Sequence, residues 1–344
     1  MVYTLTATNA NGSAKPAIQV ITQTIDAPPW QWGCINFTSN MTYSFSSIAA
    51  NISSVAANTT CSSGAMPFRY LLPAGYNPAT TTYPVVLFLH GAGESISSTN
   101  ASSYNQYQLS NGIYELSGVK APSGTTDSSV GLSAQQLSTL RAATPAIIVA
   151  PQYYGTNTDW GGNSNSSASQ ITAVNLVQYI ASTMGGDSTR VYVTGLSKGG
   201  IGTWTIIAKN NKNNYGVVFA AAMPLSGQDG YFPGDSGSKL TTETLAFVKN
   251  VIAASPALAS TPIWAIHGGA DTTVPPLDDQ DFCSLICSPK AKQIAPQNGL
   301  QYAPTSGGGN MQYTEVSGAG HNIPWSGVYD TTTIYWDWLF QQHL

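Results

Sequence analysis

One serine, one aspartate and one histidine are spaced along this chain in a way that could support nucleophilic attack on a carbonyl carbon. The serine is Ser197, inside the stretch Val191-Tyr-Val-Thr-Gly-Leu-Ser-Lys-Gly-Gly-Ile-Gly-Thr-Trp204. Val191 to Thr194 is a short, largely β-branched run that reads as a buried strand. Gly195, Gly199, Gly200 and Gly202 crowd around the serine, and Thr203 to Lys209 reads as a helix. A serine on a sharp strand-to-helix turn holds a strained backbone, and side chains next to it would clash. G-x-S-x-G is informative only in that context. The turn also sets the serine hydroxyl at a helix N-terminus, where unpaired N–H groups favour developing negative charge.

Serine alone is a poor nucleophile near neutral pH. It needs a base within hydrogen-bond reach, and the base needs an orienting carboxylate. Asp271 lies in His267-Gly-Gly-Ala-Asp-Thr-Thr-Val-Pro275, just past an apolar strand at 262–267. His321 lies in Ser317-Gly-Ala-Gly-His-Asn-Ile-Pro-Trp325, just past the last strand at 312–316. Asp278, Asp279 and Asp281 are competing acids in the same long loop as Asp271, and they read as solvated. Of the four histidines, His90 and His267 end strands and His343 is next to last, which leaves His321 as the base. An oxyanion needs two N–H donors. One is Lys198, directly after the serine. The other belongs to His90-Gly-Ala-Gly93, most directly Ala92 with Gly91 as its neighbour, and His90 there braces the loop rather than transferring protons. The loop 151–162 should border the cleft, with Gln152, Tyr153 and Trp160 as a wall for a ring, a sugar or a polymer chain; ordinary packing is the alternative.

The elements that must position these groups alternate. Strands are expected at 68–72, 84–90, 146–150, 191–194, 216–223, 262–267 and 312–316. Helices are expected near 105–116 and at 134–143, 169–184, 242–254 and 331–341. This pattern argues for an α/β architecture, a mostly parallel central sheet with helices on both faces, and ligands then bind outside the carboxyl ends of the strands. The run Pro84-Val-Val-Leu-Phe-Leu-His90 is almost continuously apolar, as parallel strands covered on both faces are. Residues 30–66 have no clear period and read as a surface segment. No long helical lid with a large apolar face stands between the strands, which favours an open cleft.

The chain has 344 residues, ample for a catalytic domain of about 250–280 residues plus a small appendage. Only 8% of them are charged, well below the usual quarter. The surface must therefore be carried by Ser, Thr, Asn, Gln and Gly, which suits an exported protein better than a cytosolic one. A net charge of −4 without any Lys/Arg cluster gives no reason to expect nucleic acid or an anionic membrane as partner. No apolar run approaches a membrane span. The start, Met-Val-Tyr-Thr-Leu-Thr, has neither a basic region nor an apolar core of the signal-peptide kind. The four cysteines are expected to form two disulfides, Cys34–Cys61 across the segment 26–65 and Cys283–Cys287 around a short loop. A metal or redox pair is the other reading of Cys283 and Cys287.

Two resemblances follow from these blocks. "YTLTATNANGSA" within residues 1–25 resembles the last strands of a bacterial immunoglobulin-like domain. That implies a chain cut from a longer modular protein, with Asp26-Ala-Pro-Pro29 as linker and the catalytic domain at 66–344. "YPVVLFLHGAGE", "VYVTGLSKGGIGTW", "IHGGADTTVP" and "GAGHNIPW" resemble the α/β-hydrolase superfamily. Within it they resemble the exported esterases related to polyhydroxybutyrate depolymerases and to feruloyl and acetylxylan esterases of carbohydrate esterase family 1. The chain order Ser197, Asp271, His321 is that superfamily's order. The resemblance implies these three as catalytic residues, no metal and no cofactor, and a small-molecule or polymer-linked ester as substrate. Lys198 departs from it, since small or apolar residues are more usual there; its side chain could touch substrate or pair with an acid. A serine peptidase on the same fold and a non-catalytic binding module are the competing readings.

Overall fold

The computed structural model describes residues 2–3, 21–22, 30–36, 52–55, 61, 65–73, 75–92, 145–153, 160, 168–210, 215, 217–227, 245–288, 299–301, 309–321, 328 and 334–344. In chain order these form β1 (Val2–Tyr3), β2 (Ile21–Thr22), β3 (Trp30–Asn36), β4 (Ile52–Val55), β5 (Ala65–Leu71), β6 (Tyr83–Leu89) and β7 (Ile147–Pro151). Next come α1 (Ala168–Thr183), β8 (Gly186–Leu196), α2 (Lys198–Ala208), β9 (Ala221–Leu225), α3 (Leu245–Ala254) and α4 (Ala257–Ser260). The rest are β10 (Ile263–Gly268), α5 (Leu277–Ile286), β11 (Gly299–Gln301), β12 (Met311–Val316) and α6 (Ile334–Gln341). The helices expected near 105–116 and at 134–143, and the linker Asp26–Pro29, lie outside the described residues.

β3 to β12 build one sheet in the order β11-β12-β10-β9-β8-β6-β7-β5-β3-β4. The run from β12 through β10, β9, β8 and β6 to β7 is parallel, and antiparallel strands extend it at both ends. Strand order reverses between β6 and β8, so the crevice at their carboxyl ends is the place where such a sheet binds ligands. β1 and β2 pair antiparallel in a small sheet of their own.

The sheet is buried because its strands carry apolar side chains on both faces. Val85, Leu87 and Leu89 of β6 point to one face with Val191 and Val193 of β8. There they meet Val174 and Val177 of α1, Trp204 and Ile207 of α2, and Phe282 of α5. Val86 and Phe88 point the other way with Tyr192, Met223 and Trp264, against Tyr335, Trp336 and Leu339 of α6. This is the period-two alternation of a strand. After α6 the chain returns to the start of β8: Tyr192 Oη donates to Gln342 O at 2.7 Å and Leu344 N to Thr189 O at 3.1 Å.

Three expectations change. Residues 30–36 and 52–55 are not a surface segment outside the sheet, because β3 pairs with β5 across its whole length and β4 pairs with β3. Both bridges form, but Cys283–Cys287 closes the last turn of α5 instead of a loop. The strand expected at 216–223 runs from Ala221 to Leu225.

The helix after the serine also starts earlier, at Lys198. Its glycines are not helix breakers here. They let the helix touch the sheet. A Cβ on Gly199 would collide with the carbonyl oxygen of Leu89 at the end of β6, and one on Gly200 would lie 2.6 Å from Leu225 O at the end of β9. Backbone cannot give way as a side chain can. Gly199→Ala is therefore expected to lower unfolding free energy by at least about 3 kcal/mol. Chemical denaturation checks this, and a loss below about 1 kcal/mol would show that α2 can lift off the sheet.

Candidate active site

Ser197 follows β8 directly and stands just before the first residue of α2. Its backbone has φ 54° and ψ −117°, a region that non-glycine residues occupy only under constraint. The constraint is visible: Ser197 N donates to Leu225 O at 2.9 Å, and Ile201 N to Ser197 O at 3.0 Å. The turn is thus tied to β9 on one side and to α2 on the other.

Asp271 and His321 meet on two loops that are joined to each other. Gly269 N donates to Val316 O at 2.9 Å and Ala270 N to Ala319 O at 2.8 Å. A side chain on Gly268 would strike the backbone of Ala319 and Gly320. Asp271 Oδ1 accepts from the backbone N–H groups of Thr273 (2.8 Å) and Val274 (3.0 Å), which locks its rotamer. Its Oδ2 accepts from His321 Nδ1 at 2.6 Å. Burial resists the charge on Asp271, but the donors His267, Val274 N–H and His321 hold its carboxyl well below the usual carboxylate range. An ionised Asp271 can only accept, so His321 carries its proton on Nδ1, and Nε2 is the basic nitrogen.

Ser226 connects this pair to the serine. Leu196 and Leu225 are partners on adjacent parallel strands, so Ser197 and Ser226 occupy equivalent places at the sheet edge. Ser226 is buried, has φ 44°, and donates from Oγ to His321 O at 3.1 Å. Sequence reasoning missed it; the dipeptide Ser226-Gly227 directly after an apolar strand was the available signal.

The loop after β6 is built around His90, which is fully buried. His90 Nδ1 donates to Gly91 O at 2.6 Å, and Nε2 accepts from Tyr153 N at 3.3 Å. Both bonds require the neutral ring with its proton on Nδ1. Burial pushes the His90 pKa down to about 3, against the pull of the Gly91 carbonyl and with help from the Lys198 ammonium. A planar trans peptide points its C=O and N–H in opposite directions. Holding Gly91 O on the His90 ring therefore turns the Ala92 N–H away from that ring. Lys198 N is the first N–H of α2, one of the donors a helix leaves without an intrahelical partner. Lys198 makes no ion pair among the described residues. Gly93 lies outside them.

Gln152, Tyr153 and Trp160 do not line a cleft. All three are 0% exposed. Tyr153 stacks on the His90 ring at 4.6 Å and Trp160 meets it edge-on at 5.1 Å. Trp160 Nε1 also donates to His90 O at 2.9 Å. Large flat side chains beside a buried imidazole gain more from covering it than from facing water. The expected substrate wall is instead the packing that holds the His90 loop in place.

Asp279 is the other correction. It is 1% exposed rather than solvated. Its Oδ2 is 2.7 Å from His267 Nδ1, and its Oδ1 accepts from Trp204 Nε1 at 3.1 Å. Asp278 and Asp281, on the same helix, are half-buried. Among the described residues no group of His, Cys, Asp and Glu is arranged to hold a metal ion, and no helix is long and apolar enough to cross a membrane.

Comparison with known proteins places the chain among esterases. The chain is 30% identical over 193 residues to acetylxylan esterase A of Aspergillus ficuum, covering 49% of this chain and 59% of that protein. It is 27% identical over 224 residues to acetylxylan esterase A of Talaromyces purpureogenus, covering 54% of each. The chain thus spans little more than half the length of these curated relatives. A solved thermostable esterase superposes with a TM-score of 0.52 at 22% identity, over 84% of this chain and 63% of that one. The family model described as "Putative esterase" matches residues 60–292. That match takes in Ser197, Asp271 and the His90 loop, and with it the chain belongs to the esterase family and has the α/β-hydrolase fold.

Proposed function

We propose that this protein is a secreted serine carboxylic ester hydrolase that forms an acyl-enzyme on Ser197. The observation that carries this reading is the strained turn at Ser197 on the same sheet edge as the hydrogen-bonded pair His321–Asp271. His321 Nε2 takes the proton as Ser197 Oγ attacks the ester carbonyl. The negative charge on the tetrahedral oxygen rests on the N–H groups of Lys198 and Ala92. Collapse breaks the ester bond, and His321 returns the proton to the departing alcohol. Water then repeats the sequence on the acyl-enzyme: His321 takes its proton, the acid leaves, and Ser197 regains its hydrogen.

The substrate class in this reading is an ester borne on a polymer, an acetyl or feruloyl group on polysaccharide or a polyester chain. The names of the acetylxylan esterases at 27–30% identity support it. Two disulfides, and a surface poor in charge, support an oxidising, extracellular setting. In this reading residues 1–25 are the last strands of an immunoglobulin-like domain, which the antiparallel pairing of β1 with β2 supports.

Initial rates on p-nitrophenyl acetate, butyrate and octanoate, on a feruloyl ester, and on acetylated xylan test the reading. Turnover of the short or feruloyl esters with release of acetate from xylan is expected. No ester turnover, or faster cleavage of a matched amide, would replace it with the binding or peptidase reading.

A further inference from the structure

Behind Asp271 lies a second histidine–carboxylate pair, His267 and Asp279, outside the three proposed catalytic residues. His267 is the last-but-one residue of β10 and shares a face with Ile263 and Ala265. That face is covered by α2 and α5, so its ring enters the core between them. Its Nε2 lies 2.8 Å from Val274 O and 3.3 Å from Asp271 Oδ2, and its Nδ1 2.7 Å from Asp279 Oδ2. Asp279 in turn accepts from Trp204 Nε1, and Trp204 stacks on Phe282, one turn along α5 from Asp279, at 4.8 Å. Trp204 belongs to α2, the helix that Ser197 introduces. A continuous set of contacts therefore runs from the acid, through His267 and Asp279, to the nucleophile's own helix.

We propose that His267 and Asp279 are a positioning pair for the catalytic acid, dividing the charge of Asp271 Oδ2 between two imidazoles and fixing the acid loop to α2. The proposal rests on Ser197, His321 and Asp271 being the triad. Val274 O can only accept, so His267 Nε2 keeps its hydrogen wherever the proton between Nδ1 and Asp279 resides. That hydrogen is shared with Asp271. Burial alone would strip the second proton from His267, but its bonds to Asp271 and Asp279 outweigh burial and hold its pKa up to about 10. Burial also works to raise Asp279, against its bonds from His267 and Trp204. The other charged group that acts on the pair is Glu315 on β12, whose charge works to raise Asp279 further. Glu315 accepts from Gln280 Nε2 at 2.6 Å and Tyr313 Oη at 3.0 Å.

The sign follows from charge. A cation on the far side of Asp271 competes with protonated His321 for the same carboxylate oxygen. Removing the cation leaves Asp271 to favour protonated His321, so a higher pH is needed to free the base. In His267→Gln the acidic limb of the kcat/KM profile on p-nitrophenyl acetate is expected to move up by about half to one pH unit. Its kcat should fall about tenfold, with KM within twofold. Trp204→Phe leaves one aromatic ring against Phe282 and removes the N–H to Asp279 together with part of the indole. That draws the shared proton toward the carboxylate and moves the limb the same way by a smaller amount. Circular dichroism and Tm establish that each variant is folded. A folded His267→Gln with a profile superimposable on wild type overturns the proposal, whatever its Tm. If His267→Gln does not fold, the same result in Trp204→Phe decides against it. Ser197→Ala, run alongside, separates the two readings. Full activity there removes the triad and the pair with it, whereas an inactive Ser197→Ala beside an unmoved limb removes the pair alone.

Discussion

Ser197→Ala is expected to lower ester turnover by about a million-fold, with KM little changed. The substitution removes one oxygen and nothing that packs. A residual rate over water is expected from the proposed Lys198 and Ala92 donors and from substrate positioning. Stability should move in the other direction, or not at all. The φ of 54° at this residue is a cost the fold sustains for the sake of the turn, and Ser197→Gly, which tolerates that region, should gain about 1 kcal/mol. Single-turnover kinetics and denaturant titration check the two halves separately. Turnover within a hundredfold of wild type in Ser197→Ala would mean that another group is the nucleophile.

Asp271→Asn is expected to cost about ten-thousand-fold in kcat, because an amide in place of the carboxylate favours the wrong tautomer of His321. The comparison with its neighbours identifies the acid. Asp278→Asn and Asp281→Asn change half-buried side chains on α5, whereas Asp271 is the carboxylate bonded to His321, and both should stay within about twofold of wild type. Asp271 is locked by two backbone N–H groups on Oδ1, which an asparagine oxygen can still accept. The loop therefore keeps its shape, and the loss is electrostatic and tautomeric. A steady-state profile in which Asp271→Asn retains a tenth of wild-type kcat, or in which Asp281→Asn falls as far, would reassign the acid.

The elbow and the two later loops could be read from residues because each depends on local chemistry. Gly195 and Gly199 around Ser197 announce a turn too tight for side chains, and apolar runs ending in Gly-rich loops announce strand ends on one edge. The parallel core was legible for the same reason: Val85 to Leu89 is apolar throughout because both faces are covered. What was hidden depended on contacts distant in sequence. Asp279 looked solvated because its neighbours Asp278 and Asp281 are polar, and nothing near it announces that Trp204 and His267 wait on the other side of α5. Tyr153 and Trp160 looked like a cleft wall because aromatic residues in a polar loop often are one. Only the burial of His90, some sixty residues earlier, explains why they turn inward. β3 escaped notice because Trp30 to Asn36 has no clean alternation, yet pairing with β5 supplies the ladder its pattern did not advertise.

The return of the chain to the start of β8 has a practical consequence for handling the molecule. Leu344 is hydrogen-bonded to Thr189, and Thr189 lies at the opposite end of β8 from Ser197, about 25 Å away at roughly 3.3 Å per residue. A tag, a resin or a carrier protein coupled after Leu344 would therefore hold the molecule by its back edge. The end of β8 that carries Ser197 would then point away from the support.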